Sequence, residues 1–174
     1  MSETPLEISA LCLEHESLIA DYVSSFAAAG ESAIHGYLGK PDWDHALAVE
    51  KFDAWSRGED LEGWVSNTTR FLFEDGRIVG NYNFRHELTD ALTLYGGNCG
   101  YSVRPSERRK GHATMLLRHA KGFGRTLGLD RMLVVCSVEN VGSSRVITNN
   151  GGVLENVVLE EASAEHLARY WITL

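Results

Sequence analysis

The apolar positions of this chain change period several times, and each change marks an element. Leu6–Leu13 carries the apolar content of a first strand. In Glu14–Ala29, Ile19, Tyr22, Val23 and Phe26 fall at i, i+3, i+4 and i+7, one face of a helix that Gly30 ends. A second helix, of weaker period, is expected over Trp43–Arg57, after Pro41 and Asp42. Strands follow. Thr69–Glu74 leads into Asp75-Gly76, a hairpin turn signal, and Arg77–Leu88 returns. Gly100–Val103 comes after a glycine-rich bend and stops at Pro105.

Ala113–Leu127 has the clearest helical pattern. Ala113, Leu116, Ala120, Phe123 and Leu127 share one face, Arg118, Lys121 and Arg125 lie elsewhere, and Gly128 terminates the helix. Arg131–Val138 reads as a strand buried on both faces, and Val141–Asn150 as a short helix. Gly152–Glu160 and His166–Leu174 make a last antiparallel pair. No repeat or linker interrupts this order. The expectation is one domain over residues 1–174, of mixed α/β (α+β) class.

Composition changes that picture in one place. The net charge is −8, against a general nucleic-acid binder, which needs a positive footprint. Residues 1–87 carry a balance of −10 and residues 88–174 one of +2, while 104–145 alone reaches +6. An acidic chain thus contains one basic segment, which opens with Arg104, Arg108, Arg109 and Lys110. No apolar run approaches a membrane span of about 18 residues, and the start lacks the basic, then apolar pattern of a secretory signal. Cys12, Cys99 and Cys136 are odd in number and form no CxxC, and the seven histidines show no metal spacing. A cytoplasmic protein with no metal and no membrane partner is expected.

The chemistry concentrates in Gly100–Ala113, GYSVRPSERRKGHA. A strand ends at Pro105, a short loop presents Arg108, Arg109, Lys110, Gly111 and His112, and the best helix begins. Glycine lets a ligand approach the backbone closely, and the first amides of a helix have no intrahelical partner. Strand, basic loop and helix start therefore predict a diphosphate cradle. A Walker A loop is absent. Gly122 and Gly124 start a GxG, but Leu127 holds the place of the third glycine, so the dinucleotide fingerprint fails too.

Arg108-x-x-Gly111-x-Ala113 resembles the acyl-CoA signature of the GNAT acetyltransferases, Arg/Gln-x-x-Gly-x-Gly/Ala. Tyr101-Ser102-Val103-x-Pro105 is similar to the approach along that family's fourth strand, and Val138–Gly152 resembles its second signature, an Asn followed by a short helix ending in Gly. The order of elements fits over essentially the whole chain, and the stretches RHELTD…GGNCGYSVRPSERRKG and NGGVLE resemble a bacterial subgroup of predicted acetyltransferases. The resemblance implies a central mixed, mostly antiparallel sheet with splayed fourth and fifth strands, flanked by helices. It implies acetyl-CoA as cosubstrate, with pantetheine in the splay. Backbone groups around Tyr101 and Val103 would pair with pantetheine, the amides of Arg109–Ala113 and the Arg108 side chain would hold the pyrophosphate, and Asn140 and Ser143 would contact the thioester end.

Each residue type also has a plainer account. Asn140 is a good N-cap, Ser143 a small residue for close packing, and His86 with Glu87 a polar pair at a strand edge. Trp43, Trp55 and Trp64 fit an acceptor pocket or helix packing. Many members of the family place a tyrosine acid seven residues after the Asn; here Ile147 stands there, so no general acid carries over. Ser144 is the substitute donor, and His86 and Glu87 are the candidate bases. The expected reaction is direct attack, in a ternary complex, by a small-molecule or peptide amine, with N-terminal or ribosomal-protein acetylation as the peptide variant. A non-catalytic acyl-CoA-binding module is the rival reading. The acidic residues Asp42, Asp44, Glu59, Asp60 and Glu62 suggest a field that draws a cationic acceptor, and a homodimer is compatible with the chain.

Overall fold

A computed structural model describes residues 6–40 and 43–174. The elements run β1 (Glu7–Ser9), α1 (Glu16–Ala28), α2 (His45–Ser56), β2 (Asn67–Glu74), β3 (Arg77–Arg85), β4 (Cys99–Val103), α3 (His112–Thr126), β5 (Arg131–Ser137), α4 (Val141–Asn149), β6 (Gly152–Glu160) and β7 (Glu165–Thr173). The first strand is shorter than its apolar content suggests. Cys12 turns the chain instead, its carbonyl taking the His15 amide at 3.0 Å, and a 3-10 turn over Leu13–His15 delays α1 to Glu16. Helix α2 starts at an Asp44 cap whose carboxylate accepts the Leu47 amide at 2.8 Å; Pro41 and Asp42, read as its start signals, lie outside the described residues.

Two sheets form the framework. One has the order β1-β2-β3-β4 and the other β5-β7-β6, with every ladder antiparallel. Strand periodicity sends alternate β3 side chains to opposite layers. Tyr82 and Phe84 meet His119 and Phe123 of α3, while Asn81 accepts the Tyr22 hydroxyl of α1 at 2.7 Å. The core is accordingly double. Leu116, Leu117, Met132 and Ile147 fill the side of α3 and α4, and Tyr22, Phe26, Phe52 and Phe71 that of α1 and α2. Strand β6 is a free edge, with Val153, Leu154, Val157 and Leu159 exposed.

The two sheets touch where β4 and β5 begin. The Asn98 amide donates to the Leu133 carbonyl at 2.7 Å, and the Asn98 side-chain oxygen accepts the Leu133 amide at 2.8 Å. Gly97 makes this approach feasible: it sits at φ 66°, and a Cβ there would stand 2.6 Å from the Leu133 carbonyl oxygen. Beyond this clip the strands do not pair and a gap opens between them. The glycine-rich bend before β4 holds a π turn over Leu92–Gly96, which its apolar residues did not announce.

Candidate active site

Beyond β4 the chain makes one 3-10 turn, Pro105–Glu107, and runs through Arg108 to α3. Arg109 at φ 65° and Gly111 at φ 92° take left-handed backbone. A Cβ on Gly111 would meet nothing within 4 Å, so the backbone conformation, not packing, demands glycine. The amides of Gly111, His112 and Ala113 have no acceptor in the chain among the described residues. They lie at the positive end of α3 and form a concave anion site.

The basic side chains of this loop are already engaged. Both Arg108 terminal nitrogens bond Glu31 at 2.8 Å, and its Nε donates to the Val103 carbonyl at 3.1 Å. Lys110 Nζ lies 2.5 Å from Glu107 Oε2. Arg104 is buried, holding the Ile78 carbonyl and Asp21, so it is structural. Arg109 is exposed, with no ion pair among the described residues. The Arg108 bond holds the Glu31 carboxyl below the usual carboxylate range, and Lys110, with Arg77, does the same for Glu107. His112 starts α3 with its ring turned back, Nε2 3.4 Å from Glu74 Oε2. Glu74, Glu107 and His112 form a metal-type group within 4.8 Å, but Arg77 and Lys110 already occupy Glu107.

Loop and gap bound two adjoining cavities. The first, about 540 Å³, is lined by Val103, Arg108, Arg109, Gly111, His112 and Ala113, and beyond them by Asn140 and Ser143. The second, about 410 Å³, shares His35, Tyr101, Asn140 and Ser143 with it and continues to Arg85, Cys136, Glu160 and Glu165. Arg85 donates its amide to the Asn98 carbonyl, and Arg104 donates to that of Val79, so the even-numbered β4 residues face β3. By alternation the backbone groups of Cys99, Tyr101 and Val103 face the gap. Tyr101 crosses it, its hydroxyl 2.8 Å from Ser143 Oγ, and burial pushes the phenol pKa up. Asn140 caps α4, accepting the Ser143 amide at 2.9 Å, and still lines both cavities.

The three residues read as catalytic stand elsewhere. His86 bonds Thr68 Oγ1 at 2.8 Å and packs on Phe123, on the α3 face of β3, and burial lowers its pKa. Glu87 is exposed, and neither residue lines the cavities. Ser144 lies behind the gap, 2.8 Å from the Tyr170 hydroxyl and 3.8 Å from Cys136 Sγ. Ile147 is fully buried in the core, so the position seven residues after Asn140 does not face the gap at all. The three tryptophans line a separate small cavity beside α2 with Lys40 and Lys51. The acidic cluster there is largely neutralised, Lys51 pairing with Asp60 and Glu62 and Arg57 with Asp53 and Glu59. Sequence reading missed His35, Arg85, Glu160 and Glu165. The first lies in an irregular segment, and the last two bracket a hairpin turn that no motif marks.

A family model described as an acetyltransferase (GNAT) domain matches residues 11–153. No curated protein sequence matches the chain significantly. Among solved structures, the chain is similar to RimL, a ribosomal L7/L12 alpha-N-protein acetyltransferase in complex with coenzyme A as a CoA–cysteine disulfide. The TM-score is 0.70 at 17% identity, covering 98% of this chain and 95% of that one. It is similar to a spermidine N-acetyltransferase SpeG chimera from Vibrio cholerae and hSSAT (TM-score 0.65, 16% identity, 98% and 96% covered). It is also similar to the microcin C7 self immunity acetyltransferase MccE in complex with acetyl-CoA and AMP (0.69, 15%, 97% and 92%). At these identities the likeness is one of fold.

Proposed function

Because the chain belongs to the GNAT acetyltransferase domain family, we propose that it moves acetyl from acetyl-CoA to an amine bound in the 410 Å³ cavity, by direct attack in a ternary complex. The observation that carries this is the gap itself. It leads from the free amides at Gly111, past the turned-out backbone of β4, to a cavity with its own charged groups. The amides of Gly111–Ala113 take the pyrophosphate, with Arg109 as the exposed cation beside them. Strand β4 pairs with the pantetheine amides through Tyr101 and Val103, although Arg108 already claims the Val103 carbonyl. Acetyl-CoA supplies an activated thioester carbonyl.

The chain's own groups do the rest. His35, which lines both cavities, accepts the proton that the attacking amine loses. A turned-out β4 amide stabilises the developing oxyanion. The Tyr101–Ser143 hydroxyl pair hydrogen-bonds the departing thiolate, taking the role expected of Ser144. The thiol end then lies beside Cys136, the half-buried cysteine of the cavity.

The test joins calorimetry of CoA binding to thiol release over an amine panel. Gly111→Glu puts a carboxylate into the cradle against the pyrophosphate, so CoA affinity falls at least about 10-fold, the loss of one charge-assisted hydrogen bond of about 1.5–3 kcal/mol. Unchanged affinity in that variant sinks the cradle. Tight CoA binding with no thiol release from any amine favours the non-catalytic binding module.

A further inference from the structure

The acceptor-side cavity contains a charge that the chain does not balance. Arg85 ends β3 and lines that cavity beside Gly96 and Gly100. Its Nε is buried with no hydrogen-bond partner, and Nη1 reaches only the carbonyls of Gly96 and Gly97, at 3.3 and 3.5 Å. No carboxylate pairs with it among the described residues. The two buried arginines differ among the described residues: Arg104 holds Asp21, and Arg169 holds Glu155, each at 2.8 Å. A guanidinium taken out of water without a counter-anion is costly, and burial accordingly pulls its pKa below the ordinary value. Nε itself is shielded, so it is the rest of the planar guanidinium fork, where Arg85 lines the cavity, that fits a carboxylate.

The opposite charge lies in the same cavity. Glu160 and Glu165 face each other across the β6–β7 turn, and both line the cavity. Neither pairs with a cation among the described residues; Glu160 takes only the Ser163 hydroxyl, at 2.6 Å. The cavity thus presents a cation on the β3 side and carboxylates on the hairpin side. We propose that the acceptor carries a carboxylate as well as its amine, as a free amino acid does, and that Arg85 binds the carboxylate while Glu160 and Glu165 hold the ammonium before it loses its proton. This rests on the acetyltransferase reading above. A polyamine fits poorly, since it would set a second cation against Arg85.

The experiment compares L-amino acids, their carboxamides and putrescine as acceptors, by thiol release and by thermal shift, in wild type, Arg85→Gln and Arg85→Lys. CoA affinity is measured by calorimetry in all three. The expected result is a kcat/KM at least about 10-fold higher for acids than for amides, carried by KM, as a charge-assisted bond implies. Arg85→Gln erases that preference by raising KM for acids alone, and Arg85→Lys keeps part of it. Removing an uncompensated charge should leave Tm unchanged or higher. Wild type that binds CoA but prefers amides or putrescine, or neither binds nor acetylates any acid, overturns the proposal, as does an Arg85→Gln variant that weakens all probes alike. Wild type that binds no CoA sinks the acetyltransferase reading as well.

Discussion

Tyr101 shows how much one side chain determines here. It belongs to β4, yet its hydroxyl reaches Ser143 of α4, so it bridges the gap that its own backbone lines. In Tyr101→Phe the bridge is lost and the thiolate loses its hydrogen-bond donor. The fall in kcat should be roughly 100-fold, the lower end of what a positioned proton donor contributes. CoA affinity should change little, because the cradle amides lie elsewhere. Calorimetry beside steady-state kinetics checks this, and an unchanged kcat clears Tyr101 of any part in thiolate departure.

The same scale explains which site residues could be read in advance. The turn at Gly111 was legible because a left-handed glycine before a helix start is a local device, whereas the Arg108 side chain, expected on the pyrophosphate, is held by Glu31. Asn140 was legible for a similar reason: its side chain caps the helix it precedes. The candidate bases His86 and Glu87 line neither cavity. His86 follows Arg85, and strand alternation sends them to opposite sides, the imidazole against Phe123 and the guanidinium into the cavity. A sequence shows that alternation but not which layer holds the cleft. Glu31 illustrates the other difficulty, since its partner Arg108 lies 77 residues away.

At the scale of elements, the hairpin turn at Asp75-Gly76 and helix α3 follow local rules; α3 lies within a residue of its expected bounds, while β2 begins two residues earlier and β3 ends three residues sooner than expected. The expected splay between β4 and β5 is present, but no local pattern revealed its hinge. Asn98 does that work by bonding Leu133 through both backbone and side chain. Replacing it with Ala leaves the buried Leu133 amide without its acceptor. An unsatisfied buried group costs about 1–3 kcal/mol, so urea unfolding of Asn98→Ala should show a loss of that size. KM for acetyl-CoA should rise with it, because the clip sets where the gap begins. A stable variant with unaltered KM removes the clip from the account.

At the scale of the whole molecule, the cradle sits in a protein of net charge −8, and three of the four cations around it are spent on Asp21, Glu31 and Glu107, which leaves Arg109 alone unpaired among the described residues. That pairing governs how the cosubstrate arrives. With little positive field beyond the surface, a polyanion is not steered inward but meets a mildly repulsive body. The association rate constant for CoA should therefore sit in the unsteered range, about 10⁵–10⁷ M⁻¹s⁻¹, and hold steady or rise as salt screens the repulsion. Glu31→Gln frees Arg108 and should reverse the sign, giving faster capture at low salt that slows as salt is added. Stopped-flow binding across a salt series reads both slopes, and wild-type capture that slows steeply with salt would show that the loop attracts its anion from a distance after all. On this account the protein waits for its cosubstrate instead of reaching for it, and selectivity arises after contact, in how long the anion stays.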